Sequence, residues 1–224
     1  MNIEKIGPKK GTSLRKNGSK SLAITIGGGI LNDIIMIIGS TISQKITKSD
    51  LHVPSDEYYM IINNSNLSDL EIFYDQDISK HEIIYDPYKF ENIEKTALLA
   101  KFFIEQYDIP KNYTIILPKW YSFKFSYPDY NLIFIKPGLG ISFQVHKNRN
   151  EIWEILEGEP IIIAGNNVYY EVEKGIKFEI PINTIHSVIN PSIKDFVLLK
   201  ETWTGKFDEK DITRIFNPNY FKEV

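Results

Sequence analysis

The chain has 224 residues, a formal net charge of −3 at pH 7 and no cysteine. This length is sufficient to bury a hydrophobic core without crosslinks. The absence of cysteine excludes disulfides, thiolate metal ligands and cysteine nucleophiles, so a metal would be held by His, Asp, Glu or amide oxygens. Because the basic residues are scattered through a chain of net negative charge, we expect no nucleic-acid binding.

The most apolar stretch, residues 22–38, is broken by Gly27-Gly28-Gly29 and by Asn32-Asp33. A membrane span needs about 20 predominantly apolar residues, so this stretch predicts strands and turns and we expect no membrane association. The glycines also lack the following Lys-Ser/Thr of a phosphate-binding loop. The basic start of the chain is not followed by an apolar run with a cleavage site, so we expect no signal peptide and a cytoplasmic location.

One amphipathic helix is predicted over residues 91–107. Apolar residues recur there at spacings of three and four, and Pro110 ends the pattern. The residues of this apolar stripe are Ile93, Ala97, Ala100, Ile104 and Tyr107.

The last third of the chain has the pattern of β-strands. Ile176, Phe178 and Ile180 alternate with polar residues, as do residues 168–172 after a turn at residues 165–167. Such alternation is typical of strands that bury one face.

A weak internal repeat divides the chain into two predicted β domains, residues 1–137 and 138–224. His52 and Glu57 have the same spacing as His146 and Glu151. Residues 118–136 likewise resemble residues 181–200, although Phe123 stands where the second copy has His186. The first domain would be a degenerate copy that carries the helix as an insertion. The alternative is coincidence between two β-rich segments.

The second domain contains two spaced motifs with His146, Asn148 and Glu151 in the first and His186 in the second. Glycines flank the first motif, and Pro181, Asn183 and Asn190 surround His186. Residues two apart on a strand point to the same side of the pleat. Two imidazoles and a carboxylate are a suitable ligand set for a divalent metal if the two motifs converge in the fold.

These motifs resemble the two signature motifs of the cupin superfamily. The resemblance implies an all-β fold, the double-stranded β-helix or jelly-roll-like barrel, and with the internal repeat a bicupin. Cupins commonly carry a second His where this chain has Asn148. Gln144 lies on the same face as His146 and offers an amide oxygen, so Gln144 and Asn148 are alternative fourth ligands.

Within the cupins, residues 144–153 and 181–190 look like the phosphomannose isomerases, nearest to the isomerase domain fused to GDP-mannose pyrophosphorylases. Glu201, Gly205, Asp211 and Arg214 follow in the order of that family's third motif. The resemblance covers residues 138–217. It implies a metal set of Gln144, His146, Glu151 and His186 that holds zinc, with Mn, Fe, Co and Ni as alternatives.

The resemblance further implies a metal-dependent aldose–ketose isomerase that acts on a sugar phosphate such as mannose 6-phosphate. The candidates for the catalytic base are Glu201, Lys136 and Lys200. Arg214 is the first candidate for binding the substrate's phosphate, and Arg149 is the second. A homodimer is expected by analogy with the family. Other hypotheses are a non-catalytic sugar- or ligand-binding cupin, a cupin oxygenase, and a buried His pair that binds no metal.

Overall fold

The computed structural model describes residues 2–206 and 208–219. Residues 2–85 form an N-terminal lobe and residues 115–219 a C-terminal lobe. The strands of the N-terminal lobe are β1 (Asn2–Ile6), β2 (Leu14–Lys16), β3 (Leu22–Gly27), β4 (Ile34–Ile38), β5 (Thr41–Ser43), β6 (Asp50–Val53), β7 (Tyr58–Asn63), β8 (Leu70–Tyr74) and β9 (Glu82–Tyr85).

A connecting segment carries the helix α1 (Ala100–Gln106). The C-terminal strands are β10 (Ile115–Pro118), β11 (Ser122–Ser126), β12 (Tyr130–Ile135), β13 (Phe143–His146), β14 (Arg149–Glu157), β15 (Ile161–Ala164), β16 (Asn167–Tyr169), β17 (Lys177–Ile180), β18 (His186–Ile189), β19 (Val197–Gly205) and β20 (Ile212–Phe216). Short 3₁₀ turns lie at Leu31–Asp33, Ile78–Lys80 and Glu209–Asp211. No helix in the described part of the chain is long and apolar enough to cross a membrane.

The strands form three sheets. A four-stranded sheet has the order β1-β8-β3-β6, and a six-stranded sheet has the order β10-β11-β12-β19-β14-β17. The third sheet has ten strands in the order β20-β13-β18-β15-β16-β5-β4-β7-β2-β9. It passes from one lobe to the other where Asn167 on β16 pairs with Thr41 on β5. Each lobe is therefore a two-sheet β-sandwich, and the lobes share one sheet.

Strand β4 shows why the apolar stretch of the N-terminal half is so continuous. Its sequence is Ile-Ile-Met-Ile-Ile, and alternate residues point to opposite faces. Ile34 and Met36 lie in the core of the N-terminal lobe. Ile35 and Ile37 lie in a second cluster that also contains Phe143 of the C-terminal lobe. The strand is buried on both faces, because its outer face is the interface between the lobes.

The helix is shorter than the predicted span of residues 91–107 and begins only after Leu99. The peptide N–H of Leu98 donates to the carbonyl of Lys119, so the chain before the helix is extended against a neighbouring loop. The predicted stripe is also not the buried face, since Ile93 and Ile104 are exposed. Phe103 is the buried helix residue, and it packs on aromatic rings of β11 and β12. The buried face of the helix is therefore set by the tertiary packing of Phe103 and not by the apolar periodicity of residues 91–107.

The strand pairing bears on the predicted division at residue 137. Strands β10 to β12 precede that residue, yet β12 pairs with β19 along its whole length. The two segments that look alike in sequence, residues 118–136 and 181–200, therefore contribute strands that are neighbours in one sheet. The division into domains of residues 1–137 and 138–224, and with it the bicupin organisation, stays a prediction.

Replacing Phe103 by Ala is expected to lower the free energy of unfolding by about 3–5 kcal/mol, because it removes a fully buried ring from a packed cluster. Phe102→Ala is the matched control. Its ring is 45% exposed, so the loss should be about 1 kcal/mol or less. Urea unfolding measures both, and equal losses would show that the helix does not anchor through Phe103.

Candidate metal centre

Strand alternation places the predicted ligands inside the C-terminal lobe. On β13, Phe143 packs into the cluster between the lobes, so Gln144 and His146 face the opposite side. Gln144 stands directly across from His186 in the β13–β18 pair. Glu151 arrives from β14 in the other sheet of the lobe. The three strands thus bring their polar side chains to one point between the two sheets.

His146, Glu151 and His186 form a compact buried group. Their potential ligand atoms all lie within 4.8 Å of one another. The Nε2 atom of His146 is 3.0 Å from Glu151 Oε1, and the Nε2 atom of His186 is 3.7 Å from Glu151 Oε2. The Nδ1–H of His186 donates to the carbonyl of Thr184 at 2.8 Å, which leaves its Nε2 lone pair facing the group. This donor set fits a divalent transition metal.

Gln144 and Asn148, the alternative fourth ligands, are placed differently. The Nε2 atom of Gln144 lies 3.5 Å from His146 Nε2 and 3.4 Å from His186 Nε2. Its Oε1 accepts a hydrogen bond from the Ser142 hydroxyl, and a half-turn of the amide would present this oxygen to the histidines. Asn148 is exposed and donates its side-chain N–H to Asp211 at 2.9 Å. Gln144 is therefore the residue that faces the site.

Arg149, the second candidate for the phosphate, is buried in the site and does not form a surface ion pair. Its Nε donates to Glu151 Oε1 at 2.8 Å, and its Nη2 lies 3.0 Å from His146 Nε2. Its Nη1 donates to the carbonyl of Asp208 at 2.9 Å. The guanidinium therefore compensates the Glu151 charge and contacts one of the nitrogens that would bind a metal.

The protonation states follow from this arrangement. Burial raises the pKa of Glu151, but the hydrogen bond with His146 and the positive charges around the carboxyl outweigh burial and hold the pKa at about 2. Burial lowers the pKa of His186 to about 4, although Glu151 opposes this shift. At neutral pH the carboxyl is ionised and the imidazole of His186 is neutral, as metal binding requires.

A cavity opens beside this group, and Gln144, Arg149 and Glu201 form part of its wall. Glu201 lies on β19 and accepts a 2.6 Å hydrogen bond from the side chain of Asn131 on β12. Burial and the negative charge of Glu151 raise the pKa of Glu201 to about 7, against the opposing effect of Lys124. The cavity is lined by Leu117, Lys119, Tyr121, Ser122, Lys124, Ile133, Ile141, Ser142, Gln144, Arg149, Glu201, Ile212 and Arg214.

The remaining predicted residues are divided between this cavity and other surfaces. Arg214 is exposed, pairs with Gln144 across β20 and β13, and lines the cavity. Lys136 directly follows β12 and is not among the described residues that line the cavity. The Lys200 ammonium lies 4.7 Å from the centre of the Tyr130 ring, beside a different surface depression.

Asn131, Lys119 and Lys124 were not identified from the sequence as residues of the site. A signal existed for Lys124, because it stands between Phe123 and Phe125 on a strand whose alternate residues are aromatic. A single polar position inside such a pattern indicates the face opposite the aromatic core.

The N-terminal lobe contains no counterpart of the metal centre among the described residues. His52 on β6 is exposed, and its predicted partner position, Phe123, lies in the aromatic cluster under the helix. These positions therefore do not converge.

The two sheets of the C-terminal lobe and the buried His–Glu–His group that lies between them have the arrangement of a cupin barrel, and the predicted all-β cupin fold class is confirmed. Residues 124–217 match the protein family described as Mannose-6-phosphate isomerase C-terminal. This confirms the predicted resemblance to the cupin domain of phosphomannose isomerases, and it extends the matched region to β11.

Individual relatives cover only part of the chain. This chain is 34% identical over 83 residues to mannose-1-phosphate guanylyltransferase RfbM from Salmonella typhimurium. The alignment spans 37% of this chain and 17% of that protein. The capsular polysaccharide assembling protein CapF from Staphylococcus aureus is 21% identical with a TM-score of 0.36, covering 50% of this chain and 33% of CapF. A putative sugar phosphate isomerase from Acidithiobacillus ferrooxidans is 21% identical with a TM-score of 0.32, covering 35% of this chain and 50% of that one.

Gln144→Ala is expected to weaken binding of a divalent metal by about tenfold or more, because Gln144 faces the histidines. Asn148→Ala should change it less than about twofold, since that side chain turns toward Asp211. Titration of metal-free protein with Zn²⁺, checked by metal analysis, measures both variants. A larger loss of metal affinity in Asn148→Ala than in Gln144→Ala would assign the fourth ligand to Asn148. His186→Ala is the control that lacks one ligand imidazole.

The carboxyl of Glu201 is expected to titrate near pH 7 in metal-free protein, because it is buried and lies in the field of Glu151. NMR of ¹³C-carboxyl-labelled glutamate, with Glu201→Gln to assign the signal, measures this pKa. Asn131→Ala should raise the pKa further, since it removes a hydrogen bond to the ionised form. A midpoint near 4.5, the ordinary value for Glu, would contradict the burial of this group.

Proposed function

We propose that this protein is a metal-dependent aldose–ketose isomerase that acts on a sugar phosphate, with mannose 6-phosphate as the first candidate. The observation that supports this proposal most strongly is the buried His146–Glu151–His186 group, which Gln144 faces, beside a cavity whose wall contains Glu201, a carboxyl with a pKa of about 7. The match of residues 124–217 to a mannose-6-phosphate isomerase family supports the same reaction class.

Gln144, His146, Glu151 and His186 would hold the divalent ion, with zinc as the first candidate. When bound, the ion would supply positive charge that polarises the substrate's hydroxyl and carbonyl oxygens and stabilises negative charge developing on them. The Nδ1–H of His186 is held by the Thr184 carbonyl, so the orientation of this ligand is fixed before any ion binds.

Glu201 is the proposed base. In the reaction, a proton leaves C2 of the open-chain aldose, an enediol forms, and the proton is returned to C1 while the hydroxyl proton of C2 moves to O1. A carboxyl with a pKa near 7 can both accept and return a proton at neutral pH. Asn131 donates a hydrogen bond to Glu201 Oε1 and so helps to fix this side chain in the cavity wall.

Arg149 and Arg214 are the proposed substrate-binding residues. Arg149 lies between the metal ligands and the cavity, so its guanidinium can orient a substrate oxygen there. Arg214 pairs with Gln144 across β20 and β13, lines the same cavity and is exposed to solvent. Lys136 stays an alternative base, although the cavity wall does not include it among the described residues.

One observation favours the second candidate, a sugar-binding cupin that does not catalyse a reaction. Arg149 Nη2 lies 3.0 Å from His146 Nε2, a nitrogen that the isomerase needs for its metal. In a binding module the guanidinium would take the place of the ion's charge beside Glu151. Such an ion pair needs no bound metal, because each charge is compensated by the other within the protein.

A coupled assay distinguishes the two functions. Mannose 6-phosphate and glucose 6-phosphate are offered to metal-free protein with Zn²⁺, Mn²⁺, Co²⁺, Ni²⁺ or Fe²⁺ added in turn. We expect metal-dependent turnover that rises with pH through about 7, disappears in His186→Ala and falls at least about 100-fold in Glu201→Gln.

Metal analysis provides the control for this assay, because Glu201→Gln should keep its bound metal while His186→Ala loses it. Absence of turnover with every metal, together with retained binding of the sugar phosphate, would instead establish the binding module.

A further inference from the structure

Strand β17 has an edge that no other strand covers among the described residues. It is the last strand of the six-stranded sheet, and its neighbour there is β14. An open groove runs beside it, lined by residues 177–179 and Pro181 on one side and by residues 169–173 on the other. An uncovered strand edge presents a row of peptide N–H and C=O groups that can pair with another chain. This edge is therefore a candidate interaction surface.

The hydrogen-bond pattern shows which peptide groups of β17 point into the groove. The Ile155 N–H donates to the carbonyl of Ile176 at 3.0 Å, so the Ile176 carbonyl faces β14. Hydrogen bonding alternates along an antiparallel pair, so the peptide groups of Phe178 also face β14. Those of Lys177 and Glu179 therefore face the groove. In the described part of the chain, no group outside the strand forms a hydrogen bond with them.

The charged side chains of β17 lie on the outer face of the sheet. Lys177 and Glu179 are exposed, and the residues that alternate with them are buried. Lys177 pairs with Glu154 of its own chain at 3.4 Å. Glu179 stands opposite Ile152 and has no ion-pair partner within the described residues. A cation and a carboxylate thus lie two residues apart along the open edge.

This order of charges is complementary to itself. Two copies of β17 that pair antiparallel about a two-fold axis through Phe178 place Lys177 of each copy opposite Glu179 of the other. The same alignment matches the free peptide groups, because these two residues are the ones that face the edge. An axis through Lys177 or through Glu179 would place like charges directly opposite each other, which is destabilising. The charges therefore favour one register.

Exposed apolar side chains surround the same edge. Tyr169 is 41% exposed, Ile176 and Ile182 are each 46% exposed, and Ile152 on the neighbouring strand is 38% exposed. Single exposed apolar residues are ordinary, but several beside one uncovered strand edge indicate a surface that another chain covers. Pro181 directly follows the strand and has no N–H to donate, so it limits the length of the pairing.

We propose that β17 is an interface between two copies of this chain, in which their six-stranded sheets join edge to edge about a two-fold axis through Phe178. Lys177 of each copy forms an ion pair with Glu179 of the other, and the peptide groups of the same residues exchange hydrogen bonds. This inference does not depend on the proposed function. It places the second copy one strand away from β14, which carries Glu151.

Charge reversal tests this interface by analytical ultracentrifugation. One chain has a mass of 26.0 kDa, and wild type should sediment with twice that mass. Lys177→Glu and Glu179→Lys each create like-charge pairs across the axis, so each should weaken dimerisation about tenfold or more. A one-to-one mixture of the two variants has opposite charges at every cross-axis position. The heterodimer should therefore recover the wild-type affinity to within about threefold.

Glu82→Lys is the matched control, because Glu82 is an exposed carboxylate on β9, which is the edge strand of a different sheet. It should leave the dimer intact, and circular dichroism checks that each variant is folded. Wild type that stays monomeric at about 1 mM would overturn the inference. A dimer that persists in both charge reversals would place the interface elsewhere, and variants that stay monomeric when mixed would reject the register through Phe178.

Amide hydrogen exchange of wild type gives a readout that needs no variant. The peptide N–H groups of Lys177 and Glu179 should exchange more slowly as the concentration rises through the Kd of the dimer, because the second copy accepts their hydrogen bonds. Rapid exchange of both groups in a dimer would contradict edge-to-edge pairing. Isomerase activity has no bearing on either result, so failure of this inference leaves the proposed function standing.

Discussion

The carboxylate of Glu151 joins the groups of the metal centre to one another. It contacts His146 at 3.0 Å, His186 at 3.7 Å and Arg149 at 2.8 Å, and it accepts a 3.1 Å hydrogen bond from the indole of Trp153. A buried charge is tolerated only when its partners are in place, and removal of one partner of a buried pair costs about 3–5 kcal/mol. Three strands, β13, β14 and β18, therefore place two imidazoles and a guanidinium around a single charge.

The three motifs of the phosphomannose isomerase resemblance form one contact unit in the structure. Asp211 from the third motif accepts hydrogen bonds from the peptide N–H groups of Lys147 and Asn148 in the first. The carbonyl of Asp208 accepts from Arg149, and Arg214 pairs with Gln144. The C-terminal segment thus holds the turn between the two ligand-bearing strands. This contact brings the first and third motifs together although many residues separate them.

The cupin fold class and the convergence of His146, Glu151 and His186 could be predicted from the sequence, because the spaced motifs resemble those of the cupins and strand alternation places their side chains on one face. The choice between Gln144 and Asn148 depended on Asp211, which lies more than sixty positions away, and sequence spacing does not carry that information. The length of the helix depended on Phe103 and on the extended pairing of Leu98. The internal resemblance of residues 118–136 and 181–200 reflects a shared strand pattern, and only the pairing of β12 with β19 shows that they are neighbours.

The ten-stranded sheet limits how this protein can be divided. Its middle strands bury Ile35 and Ile37 from one lobe against Phe143 and Ile163 from the other. Phe143 also begins β13, the strand that carries Gln144 and His146. A fragment that contained only the matched region would expose this apolar surface directly behind the metal ligands. The N-terminal lobe is therefore a scaffold for the site, and residues 2–85 would have to accompany the matched region if that region were transferred to another protein.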